Sequence, residues 1–186
     1  MSNSRQILVF AGPNGSGKST ISKRFSTVGI YINADNIKSA TDCSDLEAAV
    51  EAEKLREFCL EKNRDFSFET VLSTERNLLL LERAKQQGYK IESVFVLTID
   101  PELNAYRVRS RVDAGGHDVP VEKIHERYYR SLSLLPRLIK VSSVCVIIDN
   151  TDMPTTIYLK DSTGNSIYPS KFWPDSAIRE LIGEQK

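Results

Sequence analysis

Cysteine and histidine are scarce in this 186-residue chain, and their scarcity excludes one class of metal site. The chain has three cysteines (Cys43, Cys59 and Cys145) and two histidines, with no Cys-x-x-Cys pair. A structural zinc site needs four such ligands close together, and the sequence does not offer that cluster. The cysteines are therefore expected to be reduced structural thiols, as is usual in cytoplasmic proteins.

The chain also lacks an excess of charge of one sign and a long apolar run. Its 25 basic and 25 acidic side chains give a formal net charge of zero, so no global field would hold it on nucleic acid or an anionic membrane. No apolar run approaches the roughly 18 residues that span a bilayer, and residues 7–11 are too few for a signal-peptide core. We expect a cytoplasmic protein that binds neither nucleic acid nor membrane.

What the sequence does contain is an alternation of strand-like and helix-like segments. Strands are predicted at residues 6–11, 30–33, 66–71, 91–99 and 144–149, with an antiparallel edge strand at 155–160. Helices are predicted at residues 18–25, 45–63, 75–87, 101–112, 120–134 and 175–182. This alternation predicts an α/β fold in which helices cover both faces of a mostly parallel sheet of about five strands. Length favours one domain, residues 1–186, with a core at about 6–150 and an edge strand and helix in 151–186.

The first predicted strand runs into a glycine-rich turn, residues 12–19, that fits the P-loop pattern G-x-x-x-x-G-K-[ST]. A strand precedes the turn and a helix follows it, as the motif requires. Backbone N–H groups of such a loop cradle the phosphates of a nucleoside triphosphate. Lys18 is expected to reach the β- and γ-phosphates, and the Ser19 hydroxyl to coordinate Mg²⁺. The candidate ATP-binding residues of this segment are Gly12, Pro13, Asn14, Gly15, Ser16, Gly17, Lys18, Ser19 and Thr20.

A P-loop leaves three classes open: a GTPase switch, a mechanical ATPase and a small-molecule kinase. The sequence has no Asn-Lys-x-Asp tetrad and no Asp-x-x-Gly after the third strand, which argues against a GTPase. Mechanical ATPases usually carry a strand that ends in paired acids, whereas the strands here end in Asp149-Asn150 and Glu69-Thr70. The sequence favours a kinase that uses ATP, Mg²⁺ and a small-molecule acceptor. A nucleotide-switched regulatory module and a nucleoside or antibiotic phosphotransferase remain the alternatives.

A kinase needs a group that takes the proton of the acceptor hydroxyl, and three residues are candidates for that side of the cleft. Asp35 follows the second predicted strand, and Glu69 and Thr70 end another, so all three are predicted to face the phosphate cleft. Asp35 could instead cap a short helix that starts at residue 36. Glu69 could instead be a solvated acid at the rim.

Arginines on two consecutive predicted helices indicate a helical lid that brings cations to the phosphates. Arg107 and Arg111 lie four residues apart on one helix face, just before a glycine pair at 115–116, and Arg127 lies on the next helix. The first two could instead belong to a solvated helix face. His117 follows the glycine pair and is a candidate for contacting the substrate, although a loop histidine with a local hydrogen bond is the plainer interpretation.

Together, these segments resemble the zeta-toxin family of P-loop kinases over about residues 6–150. The resemblance is carried by Gly-Pro-Asn-Gly-Ser-Gly-Lys-Ser-Thr at 12–20, Asn-Ala-Asp-Asn-Ile at 33–37 and Phe-Glu-Thr-Val-Leu-Ser at 68–73. The segment 107–120, which has the form Arg-Val-x-x-Arg-Val-x-x-Gly-Gly-His-x-Val-Pro, is the most discriminating and is followed by Arg-Tyr-Tyr-Arg-Ser at 127–131.

The resemblance implies the three-layer fold of P-loop kinases and an ATP-dependent activity that phosphorylates a UDP-N-acetyl amino sugar. It also implies an antitoxin protein as a partner. By the same match Asp35 would be the acceptor base, and Glu69 and Thr70 would contact the sugar nucleotide. The phosphates of ATP would be bound by three arginines, Arg107, Arg111 and Arg127.

Overall fold

A seven-stranded sheet forms the middle layer of the protein, in a computed structural model that describes residues 5–113 and 119–184. The strands are β1 (Gln6–Ala11), β2 (Ile30–Ile32), β3 (Phe66–Thr70), β4 (Lys90–Leu97), β5 (Val144–Asp149), β6 (Thr155–Asp161) and β7 (Gly164–Ile167). Their order is β2-β3-β1-β4-β5-β6-β7. The first five strands in this order are parallel, and β6 and β7 continue the sheet antiparallel.

Helices cover the sheet on both faces because the buried strands are apolar on both sides. They are α1 (Lys18–Ser22), α2 (Ala34–Thr41), α3 (Asp45–Glu61), α4 (Arg76–Gln86), α5 (Pro101–Asp113), α6 (Val121–Val141) and α7 (Asp175–Leu181). In β1, Ile7 and Val9 belong to the larger core cluster, which also includes side chains of α3, α4, α6 and α7. The alternate residues Leu8 and Phe10 pack with Ile21 of α1 on the opposite face. The predicted five parallel strands and two-sided cover are confirmed.

The C-terminal edge of the sheet differs from the prediction, because β6 is not the outermost strand. It turns at residues 162–163 and pairs with β7, which places Tyr158 opposite Ile167. Asp161 Oδ1 accepts hydrogen bonds from the backbone N–H and the hydroxyl of Thr163, and these bonds stabilise the tight turn. β7 has the sequence Gly-Asn-Ser-Ile and is largely exposed, so it lacks the apolar alternation by which a strand is predicted.

Helix α6 runs past the predicted end near residue 134 and continues through Pro136 to Val141. Proline removes one helical hydrogen bond and usually ends or kinks a helix. Here the flanking residues Leu135 and Leu138 are fully buried in the larger core cluster, and this burial outweighs the lost bond.

No helix within the described residues is both long enough and apolar enough to cross a bilayer. The feature that matters for function is the shared edge at which β1, β3, β4 and β5 end. Parallel strands deliver their carboxyl-terminal loops to one side of a sheet, where ligands bind in open α/β folds. The P-loop, Glu69 and the loop after β5 are therefore brought to the same edge.

Candidate active site

The P-loop, residues 12–19, has a backbone shape that its glycines make possible. Gly12 has a φ of 137° and Gly15 has a φ of 76°, values at which other residues are strained. The space is closed as well, since a Cβ on Gly12 would lie 2.0 Å from the Val96 carbonyl oxygen. A Cβ on Gly15 would lie 2.4 Å from the Asn104 carbonyl oxygen. The loop is thus packed tightly against β4 and α5 in one defined conformation.

Lys18 opens α1 with its side chain folded back over the P-loop, where its Nζ donates a hydrogen bond to the Pro13 carbonyl at 2.9 Å. Burial lowers the pKa of Lys18 from 10.5 to about 8, and the nearby Glu69 and Asp35 carboxylates only partly oppose this effect. Arg111 lies near enough to lower the pKa of Lys18 further. The ammonium group therefore lies in a desolvated cleft where an anionic ligand would be favoured electrostatically.

Glu69 lies at the end of β3 beside the P-loop, and three hydroxyl groups donate hydrogen bonds to its carboxylate. Oε2 accepts from Ser19 Oγ at 2.9 Å. Oε1 accepts from Ser22 Oγ at 2.8 Å and from the Tyr31 hydroxyl at 2.6 Å. Burial and the hydrogen bond to Glu69 raise the pKa of Tyr31. The contact between Glu69 and the P-loop serine was not predicted, and neither was the participation of Ser22 and Tyr31.

The oxygen atoms of this cluster fit a magnesium ion. The Ser19 hydroxyl donates its hydrogen bond to Glu69, so the lone pairs of Ser19 Oγ are available to a cation. Mg²⁺ prefers such hard oxygen donors and usually takes its remaining ligands from phosphates and water. Among the described residues, no group of three or more His, Cys, Asp or Glu side chains could hold a metal. Ser19 is the residue that would hold Mg²⁺ here, together with the phosphates.

Thr70 stabilises the loop that leaves β3. Its hydroxyl oxygen accepts hydrogen bonds from the Leu72 backbone N–H at 3.0 Å and from Asn77 Nδ2 at 2.8 Å. The loop needs this support because Leu72 has a φ of 56°, a left-handed conformation that is costly for leucine. Thr70 also lines a cavity of about 170 Å³ next to the P-loop.

Asp35 lies in the first turn of α2, and its side chain does not cap that helix. The N-cap is Asn33, whose side chain accepts a hydrogen bond from the Asp35 backbone N–H at 2.8 Å, and α2 begins at Ala34. The alternative interpretation of Asp35 as a cap is therefore wrong. The Asp35 side chain is exposed at the wall of a cavity of about 470 Å³, which Glu69 and Arg111 also line. We refer to this space as the Asp35 cavity.

A second space, the P-loop cavity, lies beside the Asp35 cavity and has a volume of about 280 Å³. It is lined by residues of the P-loop, α1 and α5, namely Gly15, Gly17, Lys18, Ser19, Thr20, Arg107, Val108 and Arg111. Ser19 and Arg111 line both cavities. A phosphate in the P-loop cavity and a molecule in the Asp35 cavity would therefore meet at these two residues.

The structure brings the three predicted arginines to the P-loop in different ways. Arg107 donates to the carbonyl oxygens of Asn150 at 2.8 Å and Thr151 at 3.1 Å, so its guanidinium is held on the loop after β5. Arg127 Nη1 lies 3.5 Å from Asn14 Oδ1, to which it donates. Arg111 is the arginine that reaches the junction of the two cavities. The predicted glycine hinge at 115–116 and His117 lie outside the described residues.

Comparison with curated proteins gives a relative of low sequence identity. No family model matches the chain. Over 129 residues, 66% of this chain and 92% of the relative, it is 28% identical to an uncharacterized protein of Haemophilus influenzae. The name of that relative states no function.

Two solved structures with similar architecture each cover the whole of this chain. A chain of the PezAT chromosomal toxin-antitoxin system of Streptococcus pneumoniae superposes with a TM-score of 0.63 and 17% identity, covering 100% of this chain and 81% of that one. A chain of the AvrRxo1-ORF1:AvrRxo1-ORF2 complex superposes with a TM-score of 0.73 and 10% identity, covering 100% and 66%. These likenesses confirm the predicted α/β fold, with a mostly parallel sheet covered by helices.

Proposed function

We propose that this protein is an ATP-dependent kinase that transfers the γ-phosphoryl group of ATP to a hydroxyl of a small molecule. The observation that carries this proposal is the junction of the two cavities. Lys18 and Ser19 line the P-loop cavity, Asp35 lines its neighbour, and Arg111 lines both. A kinase needs this arrangement, because donor phosphate, acceptor hydroxyl and a cation must meet at one point.

The P-loop side would hold the triphosphate of ATP. Backbone N–H groups within residues 14–19 would surround the β-phosphate. Lys18 would leave the Pro13 carbonyl to contact the phosphate oxygens. Ser19 would hold Mg²⁺, with Glu69 accepting the hydroxyl hydrogen of Ser19. Mg²⁺ bound there would neutralise charge on the β- and γ-phosphate oxygens.

Asp35 is the residue that we assign as the proton acceptor. The acceptor hydroxyl gives its proton to the Asp35 carboxylate while its oxygen forms a bond to the γ-phosphorus, and the bond to the β–γ bridging oxygen breaks to release ADP. Glu69 fits this role less well, because its two carboxylate oxygens already accept three hydroxyl hydrogen bonds. Arg111 would stabilise the charge of the transferred group from the junction of the cavities.

The Asp35 cavity is where we place the acceptor, and the motif resemblance favours a UDP-N-acetyl amino sugar. Hydroxyl and amide groups of Ser22, Thr27 and Asn36 line the cavity together with the rings of Phe25 and Tyr31. Such a mixture suits a polyhydroxylated ring, which offers hydrogen-bonding groups and an apolar face.

We further propose a protein antitoxin as partner, because a similar structure belongs to a toxin-antitoxin system.

Release of ADP from Mg-ATP, with and without an acceptor, tests the proposed function. A panel of sugar nucleotides, nucleosides and antibiotics would be followed by phosphorus NMR. Acceptor-dependent ADP and a new phosphate ester are expected from a sugar nucleotide, whereas a product from the other acceptors would identify a different phosphotransferase. Nucleotide binding without turnover of any acceptor, combined with nucleotide-dependent binding of a protein, would instead indicate a regulatory switch.

Arg111→Ala is expected to lower kcat by about 10²-fold while ADP affinity changes little, because Arg111 contributes mainly to the charged transition state. Arg107→Ala should have a smaller effect on kcat, since Arg107 is held by main-chain carbonyls of another loop. Steady-state rates and ADP titrations measure both effects. Arg109→Ala, an exposed position on the same helix, is the matched control and should keep the original kcat. If all three variants had the same kcat as the original protein, Arg107 and Arg111 would have no role in catalysis.

Glu69→Gln is expected to raise the Mg²⁺ concentration needed for half-maximal ADP release by about 10- to 100-fold, the usual cost of losing a group that orients a metal ligand. The readout is a Mg²⁺ titration at saturating ATP, together with ADP affinity measured in EDTA, which should not change. Weakened acceptor affinity with an unchanged Mg²⁺ requirement would place Glu69 on the acceptor instead.

A further inference from the structure

The loop that leaves β5 contacts the P-loop through the side chain of Asn150. Asn150 Nδ2 donates a hydrogen bond to the Ser16 carbonyl at 2.8 Å. The same nitrogen lies 2.2 Å from the position that a Cβ on Gly17 would occupy. The amide is therefore packed directly beneath the P-loop, and the absence of a side chain at Gly17 is what makes this approach possible.

The backbone of the same residue holds α5. The Asn150 carbonyl accepts from Arg107 Nη1 at 2.8 Å, and the adjacent Thr151 carbonyl accepts from Nη2 at 3.1 Å. The Asn150 N–H donates to the Leu97 carbonyl at 2.8 Å, which fixes this segment to the end of β4. One residue thus connects the P-loop, the sheet and the arginine of α5.

The hydrogen bond to Ser16 bears directly on phosphate binding. A P-loop binds an anion when its N–H groups converge inward, and its carbonyl groups must then point outward and find other donors. Ser16 is fully buried, so its carbonyl has little access to water. Without the Asn150 amide, this carbonyl would lose its partner and the inward arrangement of N–H groups would cost more.

We propose that Asn150 is a positioning residue that holds the phosphate-binding shape of the P-loop and the placement of Arg107 as one unit. The inference rests on the proposed binding of a nucleoside triphosphate at the P-loop. Asn150 does not contact the nucleotide; it acts through the Ser16 carbonyl and through the loop that holds Arg107. Loss of its amide weakens nucleotide binding and also weakens the contribution of Arg107.

The test measures the affinity of the non-hydrolysable analogue Mg-AMP-PNP by calorimetry, so that no acceptor is needed. Asn150→Ala is expected to lower this affinity by about tenfold, the usual effect of losing one hydrogen bond to a buried acceptor. Asn150→Asp keeps the shape but sets a carboxylate against the Ser16 carbonyl, so its affinity should fall further. Affinities are compared at a temperature at which melting curves show that every variant is folded.

A double-mutant cycle with Arg107→Ala separates positioning from general stability. If Asn150 positions Arg107, Arg107→Ala costs less affinity in the Asn150→Ala background than in the original protein. The matched control is Ser142→Ala. Ser142 lies just before β5, at the end of the strand away from Asn150, and its buried hydroxyl is hydrogen-bonded to Ser93 of β4. That variant should lower the melting temperature while leaving the Mg-AMP-PNP affinity and the Arg107→Ala effect unchanged.

Two negative results have different meanings in this design. Failure of the original protein to bind Mg-AMP-PNP would overturn the proposed function itself. Normal binding by the original protein, with equal affinity in both Asn150 variants, would overturn the positioning role alone. Strictly additive effects of Asn150→Ala and Arg107→Ala would also overturn it, because the two residues would then act separately.

Discussion

Lys18→Ala is expected to lower phosphoryl transfer by about 10³-fold or more, because it removes the cation that follows the γ-phosphate through the transition state. The fold should be retained. Burial disfavours the charged form of Lys18, so the native state gains little stability from this ammonium group. ADP release with acceptor measures the rate, and circular dichroism with a melting curve measures the fold.

Lys54→Ala is the matched control for Lys18→Ala. Lys54 is exposed on α3 and makes a surface ion pair with Glu51, so its loss should change neither the rate nor the melting temperature measurably. A second readout is the stabilisation that Mg-ATP gives on heating, which Lys18→Ala should reduce and Lys54→Ala should not. Unchanged transfer by Lys18→Ala would contradict the assignment of residues 12–19 as a catalytic P-loop.

The centre of the fold could be predicted because local and global signals agree there. Residues 7–11 are apolar on both faces, and the turn that follows has the glycines and the lysine of a P-loop. Strands separated by helices then restrict the sheet to a parallel arrangement with right-handed crossovers. Residues 12–19 were correctly predicted to follow the carboxyl end of the first strand, which the structure places between β3 and β4.

Two other features were less predictable, because each depends on contacts with segments that are distant in the sequence. β7 is a polar strand held by pairing with β6 rather than by an apolar face. Pro136 normally predicts a helix end, yet the apolar residues around it keep α6 on the core. In both cases a tertiary contact, strand pairing for β7 and core packing for α6, outweighs local propensity.

The same limit applies to the candidate site. Asp35, Glu69 and Arg111 could be selected because each follows a strand or shares a helix face. That Glu69 accepts a hydrogen bond from Ser19, fifty positions earlier, depends on the pairing of β1 with β3. Nothing in the sequence indicated a role for Asn150, because an asparagine after a strand is common. Its proposed role depends on the contact with Ser16, which only the fold brings about.

Asp35→Asn is expected to lower acceptor-dependent turnover by about 10²- to 10⁴-fold, the range that a positioned general base contributes. An alcohol is a poor nucleophile at neutral pH, and an amide cannot take its proton. The affinity for ADP should change much less than turnover, because Asp35 does not line the P-loop cavity itself, although it shares the cavity of about 170 Å³ with Lys18 and Ser19. ADP release with acceptor and an ADP titration measure the two effects separately.

The capping geometry of α2 adds an expectation about stability to this prediction. Asn33 accepts its hydrogen bond from the backbone N–H of Asp35, so Asp35→Asn leaves the cap intact and the melting temperature should hardly change. Asn33→Ala is the contrasting variant, since it removes the cap and should cost about 1 kcal/mol of stability. Wild-type turnover in Asp35→Asn would exclude Asp35 as the base. Glu69, which accepts three of the roughly four hydrogen bonds that a carboxylate can take, would then be the next residue to test as the base.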